Sequence, residues 1–215
     1  MSQIDIQESI YKRNDELATE LNRDLTDRGV FCVNVMGAPG IGKTSVLTRL
    51  IPMLGRRAAV IEGDIESDID TEKLRKLGIE AHQINTHGAC HLDSPVVKDA
   101  AEAIGLKEGF LFIENIGNLV CPAEFVIGEH IKLLITSVTE GSDKPYKYPL
   151  AFEKADVILL NKVDLAPYVD FDEAYYMKGV RALNEKVQVF RVSARTGEGF
   201  EEVATWLNHR ANTEE

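Results

Sequence analysis

The chain has no surplus of positive charge. Of its 215 residues 35 are acidic and 24 basic, a formal net charge of -11, so the clustered lysines and arginines that a nucleic-acid backbone requires are missing. The same deficit argues against attachment to anionic lipid. No apolar run approaches the roughly 18–20 residues that span a bilayer, and the amino terminus carries no signal-peptide core. A cytoplasmic protein without nucleic-acid or membrane partners is expected. Cysteine is scarce and odd in number, three in all, which excludes a disulfide framework and leaves thiols for packing, metal binding or catalysis. Internal repeats, low-complexity tracts and long Gly/Ser/Pro linkers are also lacking, so nothing marks a domain boundary.

What is present belongs to a soluble globular protein: 44% apolar and 27% charged residues, in a length that suits one domain spanning residues 1–215. Residues 4–28 carry Ile6, Ile10, Leu17, Leu21 and Leu25 at helical spacings, so an amphipathic helix opens the chain as an extension over residues 1–29, ended by Gly29. Seven apolar runs follow: Val30–Met36, Ala58–Glu62, Ala81–Ile84, Phe110–Glu114, Ile131–Val138, Val157–Leu160 and Val187–Val192. They read as strands buried on both faces. Helical stretches over 43–54, 70–77, 95–104, 168–184 and 199–209 alternate with them, the third with Ser94 as N-cap and Pro95 in its first turn. That alternation predicts an α/β fold, a mostly parallel sheet with helices on both faces. Residues 85–93, 115–130 and 139–149 are the least regular.

Gly37-Ala38-Pro39-Gly40-Ile41-Gly42-Lys43-Thr44, with Ser45 next, matches the P-loop pattern between a strand and a helix. Its backbone N–H groups and the helix N-terminus suit phosphate, Lys43 suits the β and γ phosphates, and Thr44 suits Mg²⁺. Asn161-Lys162-Val163-Asp164 follows a strand directly. A carboxylate there can accept from guanine N1–H and its 2-amino group, a donor pair adenine lacks, while the stem of Lys162 lies along the base. A further carboxylate for Mg²⁺ should end a buried strand. Both Asp64 and Glu114 qualify, and Asp70 could equally cap a helix.

Cys90-His91 and Cys121-Pro122 lie in polar, turn-rich segments on either side of the strand ending at Glu114, whereas Cys32 sits inside an apolar run and reads as core. Thiolate and imidazole suit Ni²⁺ or Zn²⁺, and the spacing fits no zinc finger; two small buried hydrophobes are the other reading. One protomer offers at most two thiolates and one imidazole, with His87 a weaker fourth candidate, and such an incomplete set points to an open site or to completion across a two-fold axis.

Together, Gly37–Thr44, Cys90-His91, Glu114-Asn115-Ile116-Gly117-Asn118-Leu119, Cys121-Pro122 and Asn161–Asp164 resemble the HypB family, SIMIBI-class P-loop GTPases that assist nickel insertion into NiFe hydrogenase. The resemblance implies a slow GTPase yielding GDP and phosphate, a homodimer when GTP is bound, and work with the hydrogenase large subunit and other nickel-maturation proteins. It implies Cys90, His91 and Cys121 as interfacial ligands of Ni²⁺ or Zn²⁺. Lys43, Thr44, Asp64 and Glu114 would serve the phosphates and Mg²⁺, and Asn161, Lys162 and Asp164 the guanine. Ser193-Ala194-Arg195 stands where such proteins have Ser-Ala-Lys, the Ala194 N–H facing guanine O6. A Cys-rich nickel motif and a His-rich stretch, found in some members, are absent, so transfer rather than storage of nickel is expected. The related urease accessory GTPase UreG has Cys-Pro-His in one run, whereas Ala123 follows Pro122 here. A regulatory GTP-binding module with structural cysteines and a small-metabolite kinase are the remaining alternatives; the kinase leaves Asn161–Asp164 without a role.

Overall fold

The computed structural model describes residues 3–64, 69–86, 88 and 90–213, with side chains described from residue 11 onward except at 64, 69 and 70. In chain order the elements are α1 (Gln3–Asp27), β1 (Val30–Met36), α2 (Lys43–Leu50), β2 (Ala58–Asp64), α3 (Ile69–Lys76), β3 (Glu80–Asn85), α4 (Ser94–Ile104) and β4 (Gly109–Glu114). They continue as α5 (Cys121–Glu124), β5 (Ile131–Ser137), α6 (Lys144–Lys147), α7 (Pro149–Lys154), β6 (Val157–Asn161), α8 (Glu173–Leu183), β7 (Gln188–Arg191) and α9 (Phe200–Thr213). The seven strands form one sheet in the order β3-β2-β4-β1-β5-β6-β7, parallel at every pairing. This is the predicted α/β architecture of a P-loop NTPase, opened by the predicted helix.

Period-two alternation sends strand side chains to opposite faces. Phe31, Val33 and Val35 of β1 join Val46, Leu47 and Leu50 of α2 and Val203 and Leu207 of α9 in one core. Val30 and Cys32 point the other way, into a second core with Leu21 and Leu25 of α1 and Val97 and Ala100 of α4. Leu134, Ile158 and Leu160 face a third with Phe152 of α7 and Tyr176 and Val180 of α8. Cys32 is fully buried, as its apolar setting predicts, and burial pushes its thiol well above the usual range. Helix α1 buries Asn14, Ala18, Leu21 and Leu25 along one stripe, while the side chains of Ile6 and Ile10 lie outside those described.

Several boundaries differ from the sequence reading. Asp93, not Ser94, caps α4, its carboxylate accepting from Val96 N; the Ser94 hydroxyl instead donates to the Asn14 carbonyl at 2.7 Å. Pro52 turns the end of the predicted 43–54 helix into a 3₁₀ turn over Ile51–Met53. The predicted 168–184 helix begins only at Glu173, after a 3₁₀ turn over Val163–Tyr168 containing Pro167, with Asp172 as its cap. The stretches read as irregular hold α5 and α6, and α7 starts at the last residue of the third; each has Pro in its first two positions. Burial on both faces holds for β1, β4, β5 and β6, but the edge strands β3 and β7 are half exposed because each has one neighbour.

One buried ion pair holds the chain after Cys121. Lys132, opposite Asn34 in the β1–β5 register, points away from the Phe31 core and pairs with Glu129 at 2.8 Å. Its ammonium also donates to the carbonyls of Pro122 and Phe125, and Glu129 accepts from Ile127 N and Asn34 Nδ2. Both side chains are at least nine-tenths buried, so neither charge can be left alone cheaply. Lys132→Met is expected to destabilise the fold by about 3–5 kcal/mol in urea unfolding. Adding Glu129→Gln should restore most of that loss; no recovery would mean that the carbonyl contacts, not the charge pair, carry the stability.

Candidate functional site

All the polar motifs of the sequence reach the carboxyl edge of the sheet, the edge where parallel α/β folds bind ligands. Gly37–Gly42 connects β1 to α2, and the turn needs glycine. Gly40 and Gly42 have φ of 69° and 98°, and a Cβ on Gly37 would stand 2.9 Å from the Ile135 carbonyl oxygen. Lys43 Nζ rests on the Gly37 carbonyl at 3.4 Å. Thr44 Oγ1 donates to Glu114 Oε1 at 2.9 Å, so the first helical turn after the loop is joined to the end of β4. Of the two strand-end carboxylates, Glu114 is therefore at the loop. Asp64 ends β2, and its side chain lies outside those described, as does that of Asp70 in the first turn of α3.

The loops after β6 and β7 close around the other side of the P-loop. Asn161 Nδ2 donates to the Ile41 carbonyl at 3.1 Å and Asn161 Oδ1 accepts from Ala194 N at 3.2 Å. Lys162 Nζ donates to the Gly40 carbonyl at 3.0 Å. Lys162 has a φ of 60°, the one positive value on a non-glycine among the described residues, and such backbone strain concentrates at functional turns. Asp164 Oδ1 accepts from Ser193 Oγ at 2.7 Å, and the Arg195 guanidinium, largely exposed, stands 4.0 Å from Asp164 Oδ2. Gly42, Ser45, Asn161, Lys162, Asp164, Leu165, Ala194 and Arg195 line a cavity of about 300 Å³. Asp164 stands on its wall.

On the far side of β4, Cys90, His91 and Cys121 gather. The two sulfurs are 3.1 Å apart, His91 Nδ1 is 3.4 Å from Cys90 Sγ, and all three ligand atoms lie within 4.8 Å of one another. Cys90 is exposed and Cys121 half-buried, which removes the reading of two buried hydrophobes. Phe125 stacks on the His91 ring with centroids 4.0 Å apart, and Tyr11 stacks on Phe125, fixing the imidazole plane. His87 lies outside the described residues. Two thiols and one imidazole suit a borderline-soft divalent ion and leave at least one coordination position open.

Sequence reasoning missed several residues here. Glu62 lies opposite Glu114 in the β2–β4 register, buried and accepting from the Thr71 hydroxyl. A carboxylate inside the run Val60–Gly63 was its signal. Phe125, Glu129 and Lys132 carry no local signal, since their partners lie on other elements.

The hydrogen bond to Cys121, and then burial, push the Cys90 thiol above its usual range, while burial lowers His91 against the opposing pull of Asp93 and Glu124. Near neutral pH the imidazole is thus free to bind and the thiol still holds its proton, which an incoming ion must displace. Nickel affinity is expected to rise steadily with pH from about 6 to 9, as competition titration would measure. A plateau reached once imidazole alone has lost its proton would contradict the thiol's part.

A family model described as "CobW/HypB/UreG, nucleotide-binding domain" matches residues 31–191. The hydrogenase maturation factor HypB of Azotobacter vinelandii is 48% identical over 97% of this chain and 70% of its own length. That of Escherichia coli K12 is 41% identical over 95% and 71%. Among solved structures, HypB from Helicobacter pylori in complex with nickel superposes with a TM-score of 0.89 at 32% identity, covering 94% of this chain and 96% of that one. HypB from Archaeoglobus fulgidus gives 0.87 at 35% identity, over 94% and 100%.

Proposed function

The chain belongs to the CobW/HypB/UreG nucleotide-binding family, among its HypB hydrogenase maturation factors, and from that premise we propose that it is a GTP-hydrolysing metallochaperone that passes nickel toward NiFe hydrogenase. The observation that carries this reading is the convergence of Cys90, His91 and Cys121 within 4.8 Å beside the strand whose last residue, Glu114, binds Thr44 of the P-loop. A regulatory GTP-binding module would have no need of such a cluster.

In this reading the N–H groups of Gly37–Ser45 wrap the phosphates and Lys43 leaves the Gly37 carbonyl to meet the β and γ oxygens. Thr44 and Glu114 are hard oxygen donors close enough to share one ion, so they fit Mg²⁺ and would hold it, with Asp64 as a further candidate. When bound, Mg²⁺ neutralises charge on the phosphate oxygens. Asp164, held by the Ser193 hydroxyl, takes the guanine edge, Lys162 lies along the base, and Asn161, Ala194 and Arg195 shape the slot. Nickel is cargo: Cys90, His91 and Cys121 hold it, and a second protomer arriving with GTP completes or empties the shared site. The hydrogenase large subunit and other maturation proteins are the partners on this route. Transfer requires that the two nucleotide states differ in nickel affinity, since equal affinity in both moves nothing. Delivery to urease is a second reading, motivated by the Helicobacter pylori relative, 33% identical, named as a hydrogenase/urease maturation factor.

Nickel titration with GDP and with a non-hydrolysable GTP analogue tests the proposal, with oligomeric state followed alongside. Cys90→Ala and Cys121→Ala should each lose at least the roughly 10- to 100-fold in affinity that removing even an outer-shell partner costs; unchanged stoichiometry and affinity would sink the cargo role. Asp164→Asn exchanges an acceptor for a donor, so it should weaken GTP and favour xanthosine triphosphate by about tenfold or more. A variant with unaltered base preference would remove Asp164 from the guanine site.

A further inference from the structure

The phosphate loop and the two thiol loops meet at one side chain. The backbone of Asn118 forms an antiparallel bridge with Gly37, the first P-loop residue. Its amide reaches the other way: Nδ2 donates to the Cys90 carbonyl at 3.2 Å, and Oδ1 accepts from Val120 N, next to Cys121, at 2.9 Å. The bond to Val120 is a local turn. That to Cys90 joins segments 28 residues apart, and nothing in the turn requires it.

The segment has little slack. A Cβ on Gly117 would stand 2.8 Å from Pro39 Cγ and 3.0 Å from Pro39 N, so residues 117 and 118 lie directly on the P-loop. Asn115 makes a parallel link from inside: Oδ1 accepts from Leu92 N, next to His91, at 3.3 Å, Nδ2 donates to Asn34 Oδ1 at 3.1 Å, and its backbone N donates to Val35 O. Both asparagines thus tie the strand entering the P-loop to the Cys90–His91 segment.

Building on the metallochaperone reading, we propose that Asn118 is the positioning residue through which the phosphate loop sets the distance between Cys90 and Cys121, with Asn115 as its buried counterpart. When phosphates enter and Gly37–Pro39 adjusts, residues 117 and 118 must follow, because Gly117 has no room to let Pro39 move independently. The Asn118 amide then shifts both thiol loops at once. A hydrogen-bonded clamp of this kind gives the two nucleotide states different metal geometries without any ligand changing identity.

The test uses the full chain and reads one number, the ratio of nickel Kd with GDP to that with a non-hydrolysable GTP analogue. Wild type should show a ratio departing from one by about 5- to 150-fold. Asn118→Ser keeps a hydroxyl for the local turn but cannot reach the Cys90 carbonyl, and its ratio should fall to within about twofold of one. Asn115→Ala should reduce the ratio in the same direction. If Asn118→Ser binds nickel more weakly in both states with the wild-type ratio intact, the residue is merely structural and the proposal is overturned while the metallochaperone reading stands. A wild-type ratio of one would instead overturn both. GDP affinity, followed in parallel, reports whether the P-loop is intact; should Asn118→Ser fail to bind GDP, Asn118→Asp, which also keeps the turn acceptor and loses the donor to Cys90, is judged by the same ratio.

Discussion

Gly117 lies against Pro39 with no space for a Cβ between them, and the arrangement of both sites depends on that contact. It forces the chain leaving β4 to run along the P-loop before it turns into Cys121. A side chain at 117 would separate the two, lengthen the Gly37–Asn118 bridge and pull Glu114 from Thr44. The Glu114–Thr44 contact and Cys121 are therefore two ends of one short segment, residues 114–121, to which Asn118 and Asn115 also tie Cys90 and Leu92.

The rest of the fold keeps that segment in place from three sides. The ion pair of Lys132 with Glu129 holds the carbonyls of Pro122 and Phe125 from within the sheet. Asn14 on α1 donates to the Val126 carbonyl at 2.8 Å and accepts from Ser94 N at 3.0 Å, so the opening helix grips the chain after both thiol segments. Aromatic stacking of Tyr11, Phe125 and His91 completes the frame. Buried polar contacts of this kind are stiff, because each unmade hydrogen bond costs about 1–3 kcal/mol. They restrict the thiol loops to few arrangements.

How much of this could be read from the chain follows from sequence distance. The P-loop was legible because its eight positions are contiguous and local in their reasons: glycines for positive φ at 40 and 42 and for a close approach at 37, then Lys43 and Thr44 at the helix start. Asn161–Asp164 stood out by its place after a strand, and it packs against the P-loop through Asn161 and Lys162; the parallel sheet was legible from alternation of apolar runs with helical periods. The pairing of Cys90 with Cys121 spans 31 residues; chemistry left it open beside a packing role, and only resemblance chose. Asp93 displaced Ser94 as the α4 cap because Ser94 has a better partner in Asn14, 80 residues away. Lys132 was invisible, since a lysine within an apolar strand says nothing of Glu129 or of the two carbonyls it binds. Local sequence carried the backbone and the P-loop, and the tertiary polar contacts that align Cys90, His91 and Cys121 had no local trace.

That division has a consequence for how such a site can work. The P-loop is a glycine-rich turn that offers backbone N–H groups, whereas the thiol loops are held by side-chain hydrogen bonds that are either made or lost. Under the proposed clamp, a modest adjustment of Gly37–Pro39 would be answered by a discrete change at Cys90 and Cys121. On the metallochaperone reading, three ligands with an open position suit that behaviour: a fourth rigid ligand from the same chain would hold the ion through the change, while an ion held by three can gain or lose an outside ligand as the loops move. The incompleteness of the Cys90–His91–Cys121 set is thus the property that fits release as well as capture.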